Sequence, residues 1–189
     1  MNEHNKILEH LVLNEAIKYQ LDKIIIQANK TLALLDKNSG MEENQIRNVL
    51  DVAVESNHVE VVTNFVRYQI GRSDAGKKWQ YKNFGESVIQ DIEQGIVKEC
   101  ASLASQKAFD EIIKRKGNVD QRSLNDIAYA KLTALYLGYL NRAFCQRLEA
   151  FVNADQDSIR IYSLCNACIE NIRLIGGMPV TRESAFYIT

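Results

Sequence analysis

Apolar residues recur along this chain at intervals of three and four, the spacing that holds side chains on one stripe of a 3.6-residue helix. Ile17, Leu21, Ile24, Ala28, Leu32 and Leu35 form the first such stripe and predict a helix from about Asn5 to Asp36. The polar run Lys37-Asn38-Ser39-Gly40 breaks it, and Ser39 with Glu42 three residues on reads as a capping box for the next helix. Ile46, Val49, Leu50 and Ala53 supply that helix's buried face. After a polar step at Ser56-Asn57, a third stripe of Val59, Val62, Phe65, Val66 and Ile70 runs to Gly71, placed to stop the helix near Arg72. Ser73-Asp74-Ala75-Gly76 reads as a loop.

A long fourth helix is expected from Val88, Ile89, Ile92, Ile96, Cys100, Leu103 and Ile112, ending in the basic turn Lys114-Arg115-Lys116 before Gly117-Asn118. Leu124, Ile127, Ala128, Leu135, Tyr139, Ala143 and Leu148 mark a fifth. Ile161, Cys165, Cys168, Ile172 and Ile175 mark a sixth, starting near Asp155 and ended by Gly176-Gly177-Met178-Pro179. The stripes are too long for strands, and no Asn-Gly or Asp-Gly hairpin turn occurs. The expectation is an all-α, single-domain helical bundle of about five to six helices over residues 1–177, with a C-terminal tail over 178–189.

The composition fits that picture. The chain has 189 residues, 46% of them hydrophobic and only one a proline, enough apolar content to close one core. No apolar run approaches the roughly 18 to 20 residues that span a bilayer. The start, Met1-Asn2-Glu3-His4, lacks the features of a signal peptide. These observations predict a cytoplasmic protein with no membrane role and with Cys100, Cys145, Cys165 and Cys168 reduced.

Catalytic patterns are missing. His4, His10 and His58 form no His-Glu-x-x-His pattern, and Cys165-Asn166-Ala167-Cys168 lacks a second ligand pair for zinc and falls on an apolar stripe. There is no phosphate-binding glycine loop and no Gly-x-Ser-x-Gly. Arg47 and His58 are eleven residues apart on different predicted helices, which does not suit a helical ribonuclease. Glu42-Glu43 sit in a first helical turn, where acids suit the positive end of the dipole. The chain is therefore expected to be no enzyme and to need no metal or cofactor.

Charge changes the picture more than composition does. Residues 1–64 carry ten acids against six bases. Residues 65–84 carry Arg67, Arg72, Lys77, Lys78 and Lys82 against Asp74 alone, a net of +4, interleaved with Phe65, Tyr68, Trp79, Tyr81 and Phe84. Cations for phosphates and flat rings for bases are what single-stranded nucleic acid requires. The same residues also suit a partly buried aromatic set beside a solvated basic loop.

Gln45-Ile46-Arg47 opens a helix after a polar linker, and Phe65-Val66-Arg67-Tyr68-Gln69-Ile70-Gly71-Arg72 follows about twenty residues later. This pattern resembles the helical small subunit of type III CRISPR effector complexes, in which a Gln/Lys-aliphatic-Arg start precedes a helix ending in Tyr-x-x-Gly-Arg. The likeness covers roughly residues 41–115. It implies a non-catalytic subunit that stacks along a ribonucleoprotein filament and touches guide and target RNA backbones without reading sequence. It also implies other effector subunits, and further copies of the chain, as partners. Carried onto matching positions, it assigns Arg47 and Arg72 to RNA, and charge adds Arg67, Lys77 and Lys78. The helix before the motif, and the helices and tail after it, extend beyond the family's usual length. The alternative is a helical protein-interaction adaptor, suggested by Tyr129, Tyr136, Tyr139, Phe144 and Phe151 wrapping more than one face of the fifth helix.

Overall fold

The computed structural model describes residues 3–115 and 118–152. Among them there is no strand, and the chain forms an all-α bundle. Its helices are α1 (Glu3–Lys18), α2 (Leu21–Leu32), α3 (Glu43–Ser56), α4 (Val59–Gly71), α5 (Ala75–Gln80), α6 (Phe84–Glu93), α7 (Ile96–Lys114) and α8 (Gln121–Val152), with one 3-10 turn at Tyr81–Asn83. The expected sixth helix, its Cys165 and Cys168, and the tail lie outside the described residues.

The spine is α8, which packs along α7, α2 and α3 and also touches α1 and α4. From Ala128 to Cys145 none of its residues is exposed, because neighbours enclose it on several sides. Leu132, Tyr136, Leu137 and Leu140 lie at its centre, and Ile24, Leu32, Ile46, Leu50, Ile92 and Ile112 close over them. Most of the apolar positions expected in the core are there. Leu103 and Ile127 are instead exposed, while Val97, Ala101, Ala104 and Ala108 form the buried face of α7.

Two expected helices are each divided. The first breaks at Tyr19-Gln20, where the Gln20 N–H turns back to the Ile17 carbonyl at 2.9 Å, a tightened i to i−3 bond that ends α1. This lets α1 lie on α7 while α2 lies on α8. The fourth breaks at Gln94-Gly95, where a Cβ on Gly95 would sit 3.0 Å from the Asp91 Cα and the Gln90 carbonyl oxygen. In both places the apolar stripe continues across the break, so periodicity alone does not register it.

The capping box also fails to form. Glu42 is the residue before α3, in extended conformation and with no side-chain cap, and Ser39 Oγ accepts the Met41 N–H instead. Gly71 is the last residue of α4, and the extended conformation of Arg72, φ −75 and ψ 145, ends the helix. The loop expected over 73–76 shrinks, because α5 already begins at Ala75. Gly76 presses so close to α4 that an added Cβ would lie 2.4 Å from the Ile70 carbonyl oxygen.

One polar cluster interrupts the core. Asp91 on α6 is 9% exposed and accepts hydrogen bonds from Gln27 Nε2 at 2.8 Å, from Thr31 Oγ1, and from the Tyr136 hydroxyl at 2.7 Å. Burial, with the Asp91 charge beside it, pushes the Tyr136 hydroxyl well above its ordinary pKa, so it remains a donor. Tyr136→Phe removes one bond to this acceptor without changing shape. It is expected to lower stability by about 2 kcal/mol, read in urea as a lower midpoint at unchanged slope.

Candidate functional site

The basic aromatic stretch is assembled on a helical hairpin. Asn57, left-handed at φ 53, turns the chain from α3 into α4, and α5 packs back against α4. Lys78 on α5 reaches the Glu42 carboxylate at the start of α3. The N-terminal end of α3, which carries Arg47, therefore lies at the same end of the hairpin as Arg72, Lys77 and Lys78.

Folding divides the five cations of this stretch, together with Arg47, into two groups. The first is held by acids brought in from elsewhere. Arg67 Nη2 donates to both Glu93 oxygens at 2.7 and 2.8 Å, while its Nη1 reaches Thr63 at 3.3 Å and Asn64 at 3.4 Å. Burial pushes the Glu93 carboxyl up, but the hydrogen bonds and charge of Arg67 prevail and leave it below its ordinary value. Lys78 donates to Glu42, whose carboxyl is held down by that bond and by the lysine charge. Lys82 donates to Asp36 at 2.9 Å, joined there by the Tyr81 hydroxyl at 2.8 Å to both oxygens. With three cations so matched, the +4 of the sequence becomes +1 in the folded chain.

The second group has no carboxylate partner among the described residues. Arg72 donates to Gln69 Oε1 at 3.2 Å, and its guanidinium carbon lies 5.8 Å from the centre of the Tyr68 ring. That ring is 61% exposed and leans on Phe65 with centroids 6.3 Å apart. Lys77 is exposed on α5, and Arg47 is half-buried on α3. The pairing of Arg47 with Glu43 that their spacing allows is not among the ion pairs formed.

The aromatic residues divide in the same way. Trp79 and Phe84 are buried at 1% and 0% exposure, with centroids 5.5 Å apart. They serve as core, and Tyr68 is left as the exposed ring. The tyrosines behind the adaptor reading are also core material. Tyr136 and Phe144 are buried, Tyr139 is half-buried, and Tyr129 donates its hydroxyl to the Ile92 carbonyl at 2.8 Å. Phe151 lies among side chains not described. The acids that restrain the cations, Asp36, Glu42 and Glu93, had no signal in the sequence, being 46, 36 and 26 residues from their partners.

Among the described residues no group of three or more His, Cys, Asp or Glu side chains is arranged to hold a metal ion, and no helix is long and apolar enough to cross a membrane. Comparisons with protein-family models, with curated proteins and with solved structures give no match to this chain.

The Asp36 contact has a defined pH signature. Hydrogen bonds from Lys82, Tyr81 and the Asn38 N–H hold its carboxyl down at about 2. A group whose folded pKa is depressed adds stability above its unfolded pKa, and that stability is lost as pH falls through the folded value. In an NMR titration the Asp36 carboxyl is expected to have its midpoint near 2, and Lys82→Ala should move it up toward the ordinary aspartate range. In Asp36→Asn, the fall in stability between about pH 4 and pH 2 should be shallower than in wild type.

Proposed function

We propose that this chain is a non-catalytic RNA-binding scaffold subunit, of the kind found as the small subunit of type III CRISPR effector complexes. Its partners are then guide and target RNA, the other effector subunits and further copies of itself. The observation that carries the reading is the exposed Tyr68 ring with the Arg72 guanidinium over it, free of any carboxylate among the described residues. A ring and a cation side by side offer a stacking face and a phosphate contact to one nucleotide. Arg47 and Lys77 at the same end of the hairpin supply further cations for a strand passing there. Contacts of this type hold the backbone and carry no base sequence. The Gln45-Ile46-Arg47 and Tyr68-x-x-Gly71-Arg72 pattern supports the same reading, since both of its arginines lie at that end.

Arg67 and Lys78 hold a lesser place in this reading than charge alone suggested. Each is satisfied by an acid, and a phosphate must displace that acid to reach it. Their role is to fix α4 against α6 and α5 against α3.

A second reading is favoured by a different observation. Ile7 and Leu11, one turn apart on α1, are 56% and 60% exposed, an apolar pair suited to a protein partner in an adaptor without any nucleic-acid role.

Titration of labelled single-stranded RNA at several salt concentrations tests the proposal. Affinity should fall with a log-log slope of about −0.7 for each phosphate contact. Arg72→Ala should reduce that slope by about one contact, and Tyr68→Ala should weaken binding about tenfold with the slope unchanged. Absence of binding at low salt would leave the adaptor reading, with Ile7→Asp/Leu11→Asp expected to abolish any self-association seen by light scattering.

A further inference from the structure

Between α4 and α6 lies an open groove of about 710 Å³ that phosphate contacts leave unused. Its floor is apolar and held in place. Ile70 is wedged over Gly85, where an added Cβ would sit 2.7 Å from the isoleucine side chain, and half-buried Ile89 lines the groove with it. The walls bear amides: Gln80 from α5, Gln90 from α6 and Gln94 just beyond it. The Gln80 Nε2 donates to the Ile70 carbonyl at 2.9 Å, which anchors that amide and leaves its oxygen as an acceptor. Arg67, held by Thr63, Asn64 and Glu93, forms a wall that does not need to reorganise. Gly71 opens the groove further, with no atom within 4 Å of the position a Cβ would take.

We propose that this groove receives an unpaired nucleobase of the RNA strand whose backbone meets Arg72, an inference that rests on the RNA-binding reading above. The charge of the lining argues against a phosphate there. Arg67 is outnumbered by Glu86 and Glu93, so an anion is disfavoured and a neutral ring bearing amino groups is accepted. Ile70 and Ile89 offer an apolar surface to the face of the ring. The glutamine amides present donor and acceptor together, the pair that adenine N6 and N7 complement, and the glutamates accept from exocyclic amino groups. Bases of single-stranded RNA are splayed and available for such contacts. Arg72 follows Gly71, a residue of the groove lining, so a strand that sets one nucleotide on Tyr68 and Arg72 passes the groove mouth and offers it the base of a neighbouring nucleotide.

Gly71→Leu is the direct test, because Gly71 lines the groove and a Cβ there meets no atom within 4 Å, at a helical position that favours leucine over glycine. Fluorescence anisotropy would compare binding of a labelled oligoadenylate and an abasic oligomer of equal length to wild type and to this variant. The expected result is about a tenfold loss for oligoadenylate in Gly71→Leu, with the abasic oligomer and the salt slope unaffected. Gln90→Ala/Gln94→Ala should reduce the preference for oligoadenylate over oligouridylate. If wild type binds both oligomers and Gly71→Leu binds oligoadenylate as tightly as wild type, the groove proposal is overturned and the phosphate surface stands. If wild type binds neither, the RNA-binding reading is overturned and the groove proposal with it.

Discussion

The carboxylate of Asp91 is the point at which α2, α6 and α8 are tied together, and much of the remaining geometry follows from it. A carboxylate in an apolar interior is tolerated only when its lone pairs are used. Gln27 and Thr31 from α2 and Tyr136 from α8 use them. Apolar contacts between helices allow several near-equivalent registers, whereas a three-donor acceptor is satisfied in one. Moving α6 out of this register would take the Asp91 carboxylate away from its donors on both α2 and α8. The cluster thus converts a general preference for helix packing into one alignment of three helices.

That alignment positions the elements around the candidate site. Glu93 lies two residues after Asp91, at the end of α6, and accepts from Arg67 Nη2 on both carboxylate oxygens, linking α6 to α4. Close packing of Ile70 over Gly85 shares the same interface. The groove lies above it, lined by the ion pair of Arg67 with Glu93 and by Ile70 where it packs over Gly85. Exposed ion pairs add little stability individually, and their value here lies in orientation.

The segment after α4 shows a related economy. Lys82 and Asn83 both have positive φ, 47 and 58, a conformation that asparagine tolerates better than lysine. Asp36 holds this turn through Tyr81 and Lys82, and Glu42 holds α5 through Lys78. The short helix and its turn are thereby fastened to the connection between α2 and α3, with Trp79 and Phe84 buried beneath. Cations that read in isolation as a nucleic-acid surface are largely the fasteners of this segment. Arg72, Lys77 and Arg47 have no carboxylate partner among the described residues.

The helical class, the buried stripes and the positions of Arg72 and Tyr68 at a helix end were legible in the sequence, because a 3.6-residue repeat is a local property that survives any tertiary arrangement. The breaks at Tyr19-Gln20 and Gln94-Gly95 were not, since the stripes run through them and only the direction of packing changes. The enclosure of α8 was also hidden, because a helix surrounded by neighbours buries more than one stripe. The charge state of the basic stretch depended on tertiary structure altogether. Ion pairs form between groups brought within a few ångströms, and Asp36, Glu42 and Glu93 meet their cations only when chain segments 26 to 46 residues apart are folded together. Sequence by itself determined which residues could be cationic, aromatic or helical. Tertiary structure decided which cations are already neutralised and which ring faces solvent, because Coulomb attraction and burial depend on distance in space and not along the chain.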